Sequence, residues 1–241
     1  MPGLFSVLRR HSLLTATAFI ITALSIPAYQ DYRSFISYGP GGPPHNALGW
    51  FFSRFIATPF GQDMLGTGVY EPKVLTGKNK SYLTIANDQL PQRYGKRPVV
   101  GAHAVPQRQI SQISAGDVQN RGGKQDFVAA FYILASKNPH IIKVAPSNAE
   151  KHSDAMWLLD TIHHAREAVQ TGGEIAHIHE TGDHSLHVVL SPADAKEVIE
   201  AGWDQRHAFA GWRPLGDEVD IILEIVKAAL RYTSMGAEVV S

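Results

Sequence analysis

Three histidines in the C-terminal half of the chain have a spacing that could build a chemical site. His177 and His179 are two residues apart, so on a β-strand both side chains project from one face. A turn follows, and residues 185–190 have the pattern of a returning strand that carries His187. If the loop has three residues centred on Asp183, His179 lies opposite His187 and all three imidazoles share a face. A two-residue loop places His187 on the other face. The predicted site therefore depends on the register of one hairpin.

A set of imidazoles on one strand face needs an explanation, because the core-facing side of a half-buried strand normally carries apolar residues. A single histidine is more often a surface or satisfied core residue. Here, however, Ile175, Ile178, Leu186, Val188 and Leu190 surround the three rings with apolar material. We therefore predict that the imidazoles line a cavity.

The elements that must position these residues indicate an α+β domain. Residues 99–100 and 141–144 are strand candidates, and residues 126–136 have helical spacing. Ser191 and Pro192 start a helix that runs to about residue 201, where Gly202 ends it. A last helix begins near Asp217 and has a buried stripe of Ile222, Ile225, Val226 and Ala229. We predict one compact domain, with a small mixed or antiparallel sheet and flanking helices.

Composition excludes several classes of function. The chain has 241 residues, with 22 basic and 22 acidic side chains, so its formal net charge is zero. The sequence has no basic stripe, so it does not predict a nucleic-acid partner. Without cysteine, the chain has no disulfide, no thiolate nucleophile and no cysteine-ligated metal.

The N-terminal segment, residues 1–37, predicts a membrane anchor at about residues 12–28. These seventeen residues carry no charge and follow Arg9 and Arg10, and a spanning helix needs roughly 17–25 such residues. A cleaved signal peptide is the alternative. We expect a single-pass protein of the endoplasmic reticulum membrane.

Two further regions follow this segment. Residues 38–71 form a Gly/Pro loop and an aromatic amphipathic segment, which either packs on the domain or lies at the bilayer surface. Residues 72–241 form the predicted catalytic domain.

Further motifs follow one another along nearly the whole chain. They are residues 31–32, 38–40, 97–98, His103, 107–109, 147–158, 174–187 and 202–211. In this order they resemble the fungal luciferase family, whose wider membership includes proteins that emit no light.

The resemblance implies a membrane-associated oxygenase of fungal secondary metabolism that needs no external cofactor. Its partners are O₂ and a small-molecule substrate: a hydroxypyrone or a related enolisable polyphenol or polyketide, which adds O₂ and loses CO₂. The enzyme must remove an enol proton and stabilise negative charge on oxygen. Emission of light does not follow from the resemblance.

Under this interpretation the candidate residues take separate roles. His177 and His179 bind substrate and remove the proton, and Asp183 or Glu150 orients one imidazole. His187, Arg108 and His207 stabilise the oxyanion. Further substrate-binding candidates are His152, Ser185 and Trp203, although Trp203 also fits an ordinary core position.

Two other chemistries use the same residues. His177, His179 and His187 resemble the ligand set of iron, manganese or zinc, which makes a metal-dependent enzyme the alternative. A hydrolase, cyclase or isomerase of secondary metabolism, or a ligand-binding protein without catalysis, is the third class. Oxygen dependence separates the oxygenase from the third class.

Overall fold

The computed structural model describes residues 3–37, 43–60, 63, 65–71, 80–85, 90–93, 111–113, 121–148, 152–180, 186–206 and 219–241. Its helices are α1 (Gly3–Ser37), α2 (Ala47–Phe51), α3 (Arg121–Lys137), α4 (Arg166–Gln170), α5 (Pro192–Glu200) and α6 (Val219–Thr233). A π-helical turn, Phe52–Ala57, continues α2, and short 3-10 helices occupy Thr58–Phe60 and Gly68–Tyr70. The strands are β1 (Ser111–Ile113), β2 (Ile142–Pro146), β3 (Asp154–Leu158), β4 (Glu174–Ile178), β5 (Leu186–Val188) and β6 (Asp204–Arg206).

The six strands form one sheet in the order β2-β3-β4-β5-β1-β6. Every neighbouring pair is antiparallel. Strands β2 to β5 follow one another in the chain and in space, whereas the short β1 and β6 extend the sheet beside β5. The α+β prediction is confirmed, and of the two predicted sheet types the antiparallel one is present.

One face of the sheet is covered by helices. Met156, Ile178 and Leu186 lie on this face and are at most 1% exposed. They belong to an apolar cluster that includes Phe127 of α3 and Ile225 of α6. Burial of such side chains stabilises each by about 1.5–3 kcal/mol relative to exposure. The helices therefore pack against one face of β3, β4 and β5. The opposite face of these strands carries a different set of side chains.

Local sequence signals decided the ends of α5. The Ser191 hydroxyl accepts a hydrogen bond from the backbone N–H of Asp194 at 3.0 Å, and Pro192 is the first helical residue. The helix ends at Glu200 with Ala201 as its C-cap, and Gly202 follows with φ of 85°. A positive φ suits glycine, which has no Cβ. The predicted cap and stop of this helix are confirmed.

The predicted membrane anchor is wrong. Residues 12–28 do lie within the long helix α1, but in the part of the chain that the structure describes, no helix is both long and apolar enough to span a bilayer. Serine and threonine side chains and Pro27 interrupt the apolar run. Three further predictions depended on this anchor and are corrected with it. They are a single-pass protein, membrane attachment through this helix and a location in the endoplasmic reticulum.

The aromatic segment packs on α1 through one side only. The indole Nε1 of Trp50 donates a hydrogen bond to Asp31 Oδ2 at 2.8 Å, and the Trp50 ring meets Tyr32 edge-on. Phe51 and Phe55, in contrast, are 53% exposed. Trp50 thus packs against α1, whereas the two phenylalanines face outward. Packing of the segment on the domain of residues 72–241, or at a bilayer surface, stays a prediction.

Candidate functional site

Strands β4 and β5 bring the three histidines together. His177 lies in β4 directly opposite His187 in β5, and His179 follows the last residue of β4. The predicted pairing of His179 with His187 is therefore wrong by two positions. A shift of two residues keeps every side chain on the same face, because the side-chain period of a strand is two. The prediction of a shared face is confirmed for this reason.

The imidazole rings form a compact buried cluster. The ring centroids are 4.7 Å apart for His177 and His187, 4.5 Å for His179 and His187, and 5.4 Å for His177 and His179. Each residue is at most 5% exposed. One ring nitrogen from each histidine lies within 4.8 Å of the others. Three polar nitrogens thus converge at one buried point.

Glu174 orients the first ring of the cluster. The Nδ1–H of His177 donates to Glu174 Oε1 at 2.8 Å. The carboxylate also accepts hydrogen bonds from the Ser147 hydroxyl at 2.6 Å and from the backbone N–H of Asn148 at 2.8 Å. Burial raises the pKa of the Glu174 carboxyl, but the hydrogen bonds from His177, Ser147 and Asn148 outweigh it and the pKa is lowered. Glu174 is therefore a charged acceptor at neutral pH.

The hydrogen bond to Glu174 determines which nitrogen of His177 is available. In a neutral imidazole one nitrogen carries hydrogen and the other carries a lone pair. With Nδ1 donating to Glu174, the lone pair lies on Nε2. Among the described residues, His177 Nε2 is buried and has no hydrogen-bond partner. This atom is ready to accept a proton or to bind a cation.

A β-bulge places Glu174 on the histidine face. Glu174 lies three positions before His177, which in a regular strand puts their side chains on opposite faces. However, the register shifts between β3 and β4: Ala155 pairs with His177, but Trp157 pairs with Glu174. Since Ala155 and Trp157 share a face, Glu174 and His177 share it as well. Sequence reasoning missed this role, although an acidic residue three positions before an apolar-flanked histidine pair was its signal.

A second acid borders the cluster. The Tyr132 hydroxyl of α3 donates to the carboxylate of Glu180, which follows His179. Burial and then the hydrogen bond to Glu180 raise the pKa of Tyr132, so the hydroxyl keeps its proton. This contact ties the end of β4 to α3 and holds the segment that carries His179.

Several predicted site residues lie outside the described residues. They are Arg108, Glu150, Asp183, Ser185 and His207. Their roles stay predictions, and for His177 the orienting role predicted for Asp183 or Glu150 is filled by Glu174.

The other two predicted substrate-binding residues are described. His152 is exposed in the connection between β2 and β3. Trp203 is 4% exposed, donates from its indole nitrogen to Pro91 O at 2.7 Å and lies under the Arg93 guanidinium. The contacts of Trp203 fit the core alternative.

Comparison with known proteins shows which proteins this chain is similar to. The family model described as Luciferase domain matches residues 172–229, a range that includes β4, β5 and all three histidines. The chain is also 28% identical to the luciferase of Armillaria mellea over 218 residues, which cover 86% of this chain and 77% of that protein. The chain is therefore similar to fungal luciferases along most of its length, and residues 172–229 match the Luciferase domain.

A luciferase from another fungus gives the same result. The luciferase of Neonothopanus nambi is 28% identical over 211 residues, covering 84% of this chain and 74% of that protein. No solved structure matches the chain. The alignment with each luciferase extends well beyond the domain match, so the similarity of this chain to luciferases is not confined to the histidine hairpin.

Proposed function

We propose that this luciferase-like protein is an oxygenase that adds O₂ to an enolisable substrate and releases CO₂. The substrate class is a hydroxypyrone or a related polyphenol or polyketide, and the proposal holds with or without emission of light. The observation that carries it is the His177–Glu174 pair, whose remaining imidazole nitrogen is buried beside two further imidazoles. The names of the matched relatives support the reaction class.

The chemistry requires a substrate that can donate one electron. Ground-state O₂ is a triplet, so it reacts slowly with closed-shell molecules. An enol that loses its proton becomes an electron-rich enolate, which transfers one electron to O₂. The two radicals then combine into a peroxide. Closure of the peroxide onto the lactone carbonyl and loss of CO₂ leave an oxidised product. Both atoms of O₂ end in the oxidised product and in CO₂, so no external reductant is needed.

The histidine cluster suits the first step. A positioned imidazole contributes about 10²–10⁴-fold to a reaction that needs proton transfer. His177 Nε2 is the acceptor of the enol proton, because Glu174 holds Nδ1 and stabilises the imidazolium that forms. The same lone pair could instead bind a cation that makes the enol acidic. Either route uses the same atom of His177.

The remaining rings suit the second step. His179 and His187 lie within 5.4 Å of the His177 ring, centroid to centroid, on the same buried face. Hydrogen-bond donors stabilise developing negative charge strongly where water is excluded. We assign His179 and His187 to the enolate and peroxide oxygens, with Arg108 and His207 as the predicted further donors.

Oxygen uptake tests the proposed function. Purified protein is incubated with a panel of 3-hydroxypyrones, and dissolved O₂ and released CO₂ are measured. We expect equal amounts of O₂ consumed and CO₂ released, with a loss of at least about 100-fold in His177→Ala. His163→Ala is the matched control, because His163 is exposed and lies outside the cluster. Substrate conversion without O₂ uptake would instead identify a hydrolase, cyclase or isomerase.

A further inference from the structure

We infer that His177, His179 and His187 form a binding site for one divalent first-row transition metal ion. The inference deepens the proposed function, on which its catalytic consequence rests: a bound ion replaces the direct roles assigned above to the three rings, since a nitrogen that ligates an ion neither accepts a proton nor donates to an oxyanion. Binding of the ion is a separate property that requires no substrate. Among the described residues, this is the group of three whose potential ligand atoms converge. All three side chains come from one hairpin, so a single register places them.

The separation of the nitrogens is close to that of a filled site. Three nitrogens bound at about 2.0–2.1 Å to a tetrahedral ion are roughly 3.4 Å from one another. Here one nitrogen from each ring lies within 4.8 Å of the others. Small rotations about the side-chain torsions of three neighbouring rings close this difference. No movement of β4 relative to β5 is needed.

The surroundings of His177 match those of a metal ligand. Histidines that bind metals usually donate their other ring N–H to a carboxylate or carbonyl, which sets the ring orientation. The His177 Nδ1–H donates to Glu174, which Ser147 and the Asn148 backbone hold in turn. His177 Nε2 is left buried and without a hydrogen-bond partner among the described residues. Buried polar atoms are normally satisfied, so this nitrogen itself points to a ligand.

The ligand set selects the class of ion. Neutral imidazoles suit iron(II) and zinc(II), and they suit the hard ions magnesium and calcium poorly. Three protein ligands leave coordination positions open, as in catalytic rather than structural sites. The ion would keep most of its positive charge, because its three ligands are neutral and the Glu174 carboxylate is not a ligand. A bound enol or water would therefore become more acidic.

Metal titration of the full chain tests the inference. Protein stripped with a chelator and dialysed is titrated with Co²⁺, whose visible absorption reports its ligands, and with Zn²⁺ in a calorimeter. We expect one equivalent of each ion to bind and the ion to raise the unfolding temperature. Absence of stoichiometric binding by the folded wild-type protein would overturn the inference.

Variants identify the ligands. His179→Phe and His187→Phe keep a flat buried ring but remove its nitrogens, so we expect each to lose stoichiometric binding. His163→Ala should bind as the wild type does. Glu174→Gln should keep one equivalent with an affinity 10- to 100-fold lower. Circular dichroism verifies folding, and Glu174→Gln supplies the test if the phenylalanine variants do not fold. If folded His179→Phe and folded His187→Phe both bound the ion with wild-type affinity, the inference would also be overturned.

Oxygen uptake separates this inference from the proposed function. If metal-free protein consumes O₂ with a hydroxypyrone as fast as metal-loaded protein, the oxygenase proposal stands and the catalytic consequence of the ion is overturned. If the protein binds one ion at the histidines but consumes no O₂ with any pyrone, the metal site stands and the oxygenase proposal fails. Uptake that returns only on adding iron(II), manganese(II) or zinc(II) supports both.

Discussion

The two faces of the hairpin formed by β4 and β5 are equally buried but differ in chemistry. On one face, Ile178 and Leu186 pack beneath the helices with no exposed surface. On the other face, His177 and His187 are 4% and 3% exposed and carry ring nitrogens instead of methyl groups. Burial stabilises the first pair directly. It penalises polar atoms of the second pair unless hydrogen bonds or a ligand satisfy them.

The comparison shows where stability and function are separated in this molecule. Adjacent residues of one strand point to opposite faces, so a change at residue 177 and a change at residue 178 should affect different properties. The apolar face should determine the free energy of unfolding, whereas the histidine face should determine turnover. Four substitutions test this separation, from the largest expected effect to the smallest.

His177→Phe should have the largest effect, and mainly on turnover. It removes the proton acceptor while keeping a buried ring, so O₂ consumption should fall by about 10²–10⁴-fold. The free energy of unfolding should change less than in Ile178→Ala, because loss of the Nδ1–H to Glu174 hydrogen bond is partly offset by removal of the buried Nε2, which has no hydrogen-bond partner among the described residues. Urea denaturation together with O₂ uptake measures both quantities. Loss of stability as large as that expected of Ile178→Ala would contradict the separation of the two faces.

Ile178→Ala should have the opposite effect. The side chain lies in the apolar cluster under the helices, and its truncation should lower the free energy of unfolding by about 2–5 kcal/mol. Turnover by the folded fraction should change little, because the side chain points away from the imidazoles. Ile133→Ala is the matched control, since Ile133 on α3 is 54% exposed. Equal destabilisation by the two substitutions would argue against the assigned core.

Ser147→Ala should affect both properties moderately. The Ser147 hydroxyl donates to Glu174 Oε1 at 2.6 Å, and hydrogen bonds to charged groups contribute about 1.5–3 kcal/mol. Turnover should also fall, by less than in His177→Phe, because Glu174 orients His177 less firmly. Ser136→Ala on the exposed side of α3 provides the comparison in both assays. Wild-type turnover in Ser147→Ala would show that this support of Glu174 is dispensable.

Glu224→Gln should have the smallest effect and concerns a buried acid of the apolar side. Its carboxylate pairs with Arg231 at 2.8 Å and accepts from the Thr84 hydroxyl at 2.6 Å. Burial raises the pKa of Glu224, but Arg231 and Thr84 outweigh it, so the folded-state pKa lies below the ordinary 4.5. Stability from this group is therefore fully present above about pH 4.5 and is lost as the pH falls through the folded-state pKa.

The corresponding experiment compares stability at two values of pH. At neutral pH, Glu224→Gln should lower the free energy of unfolding by about 1 kcal/mol, as expected for a partly exposed pair. The difference from the wild type should shrink as the pH falls below the ordinary pKa and through the lowered folded-state pKa of Glu224, and O₂ uptake should not change. Glu238→Gln, at an exposed position, should show no such dependence. An effect of Glu224→Gln on turnover would mean that the two faces are coupled.

Local signals in the sequence predicted several parts of the fold correctly. Ser191 and Pro192 predicted the start of α5, and Gly202 predicted its end, because caps and stops act within a few residues. The spacing of His177 and His179 predicted two imidazoles on one face for the same reason. In contrast, residues 12–28 were predicted to span a membrane from the absence of charge alone, and the hydroxyl side chains and Pro27 made that criterion insufficient.

The sequence by itself determined the resemblance to fungal luciferases, the apolar and polar alternation of β4 and the ends of α5. Each of these depends on neighbouring residues or on similarity along the chain. Only the tertiary structure decided that His187 pairs with His177, that a bulge against β3 turns Glu174 toward them, and that Ser147 reaches that carboxylate from 27 residues upstream. Pairing and bulges depend on how separate strands pack together. The spacing of residues within one strand does not reveal how the neighbouring strand pairs with it. Sequence reasoning therefore located the histidines but missed Glu174, the acid that orients His177.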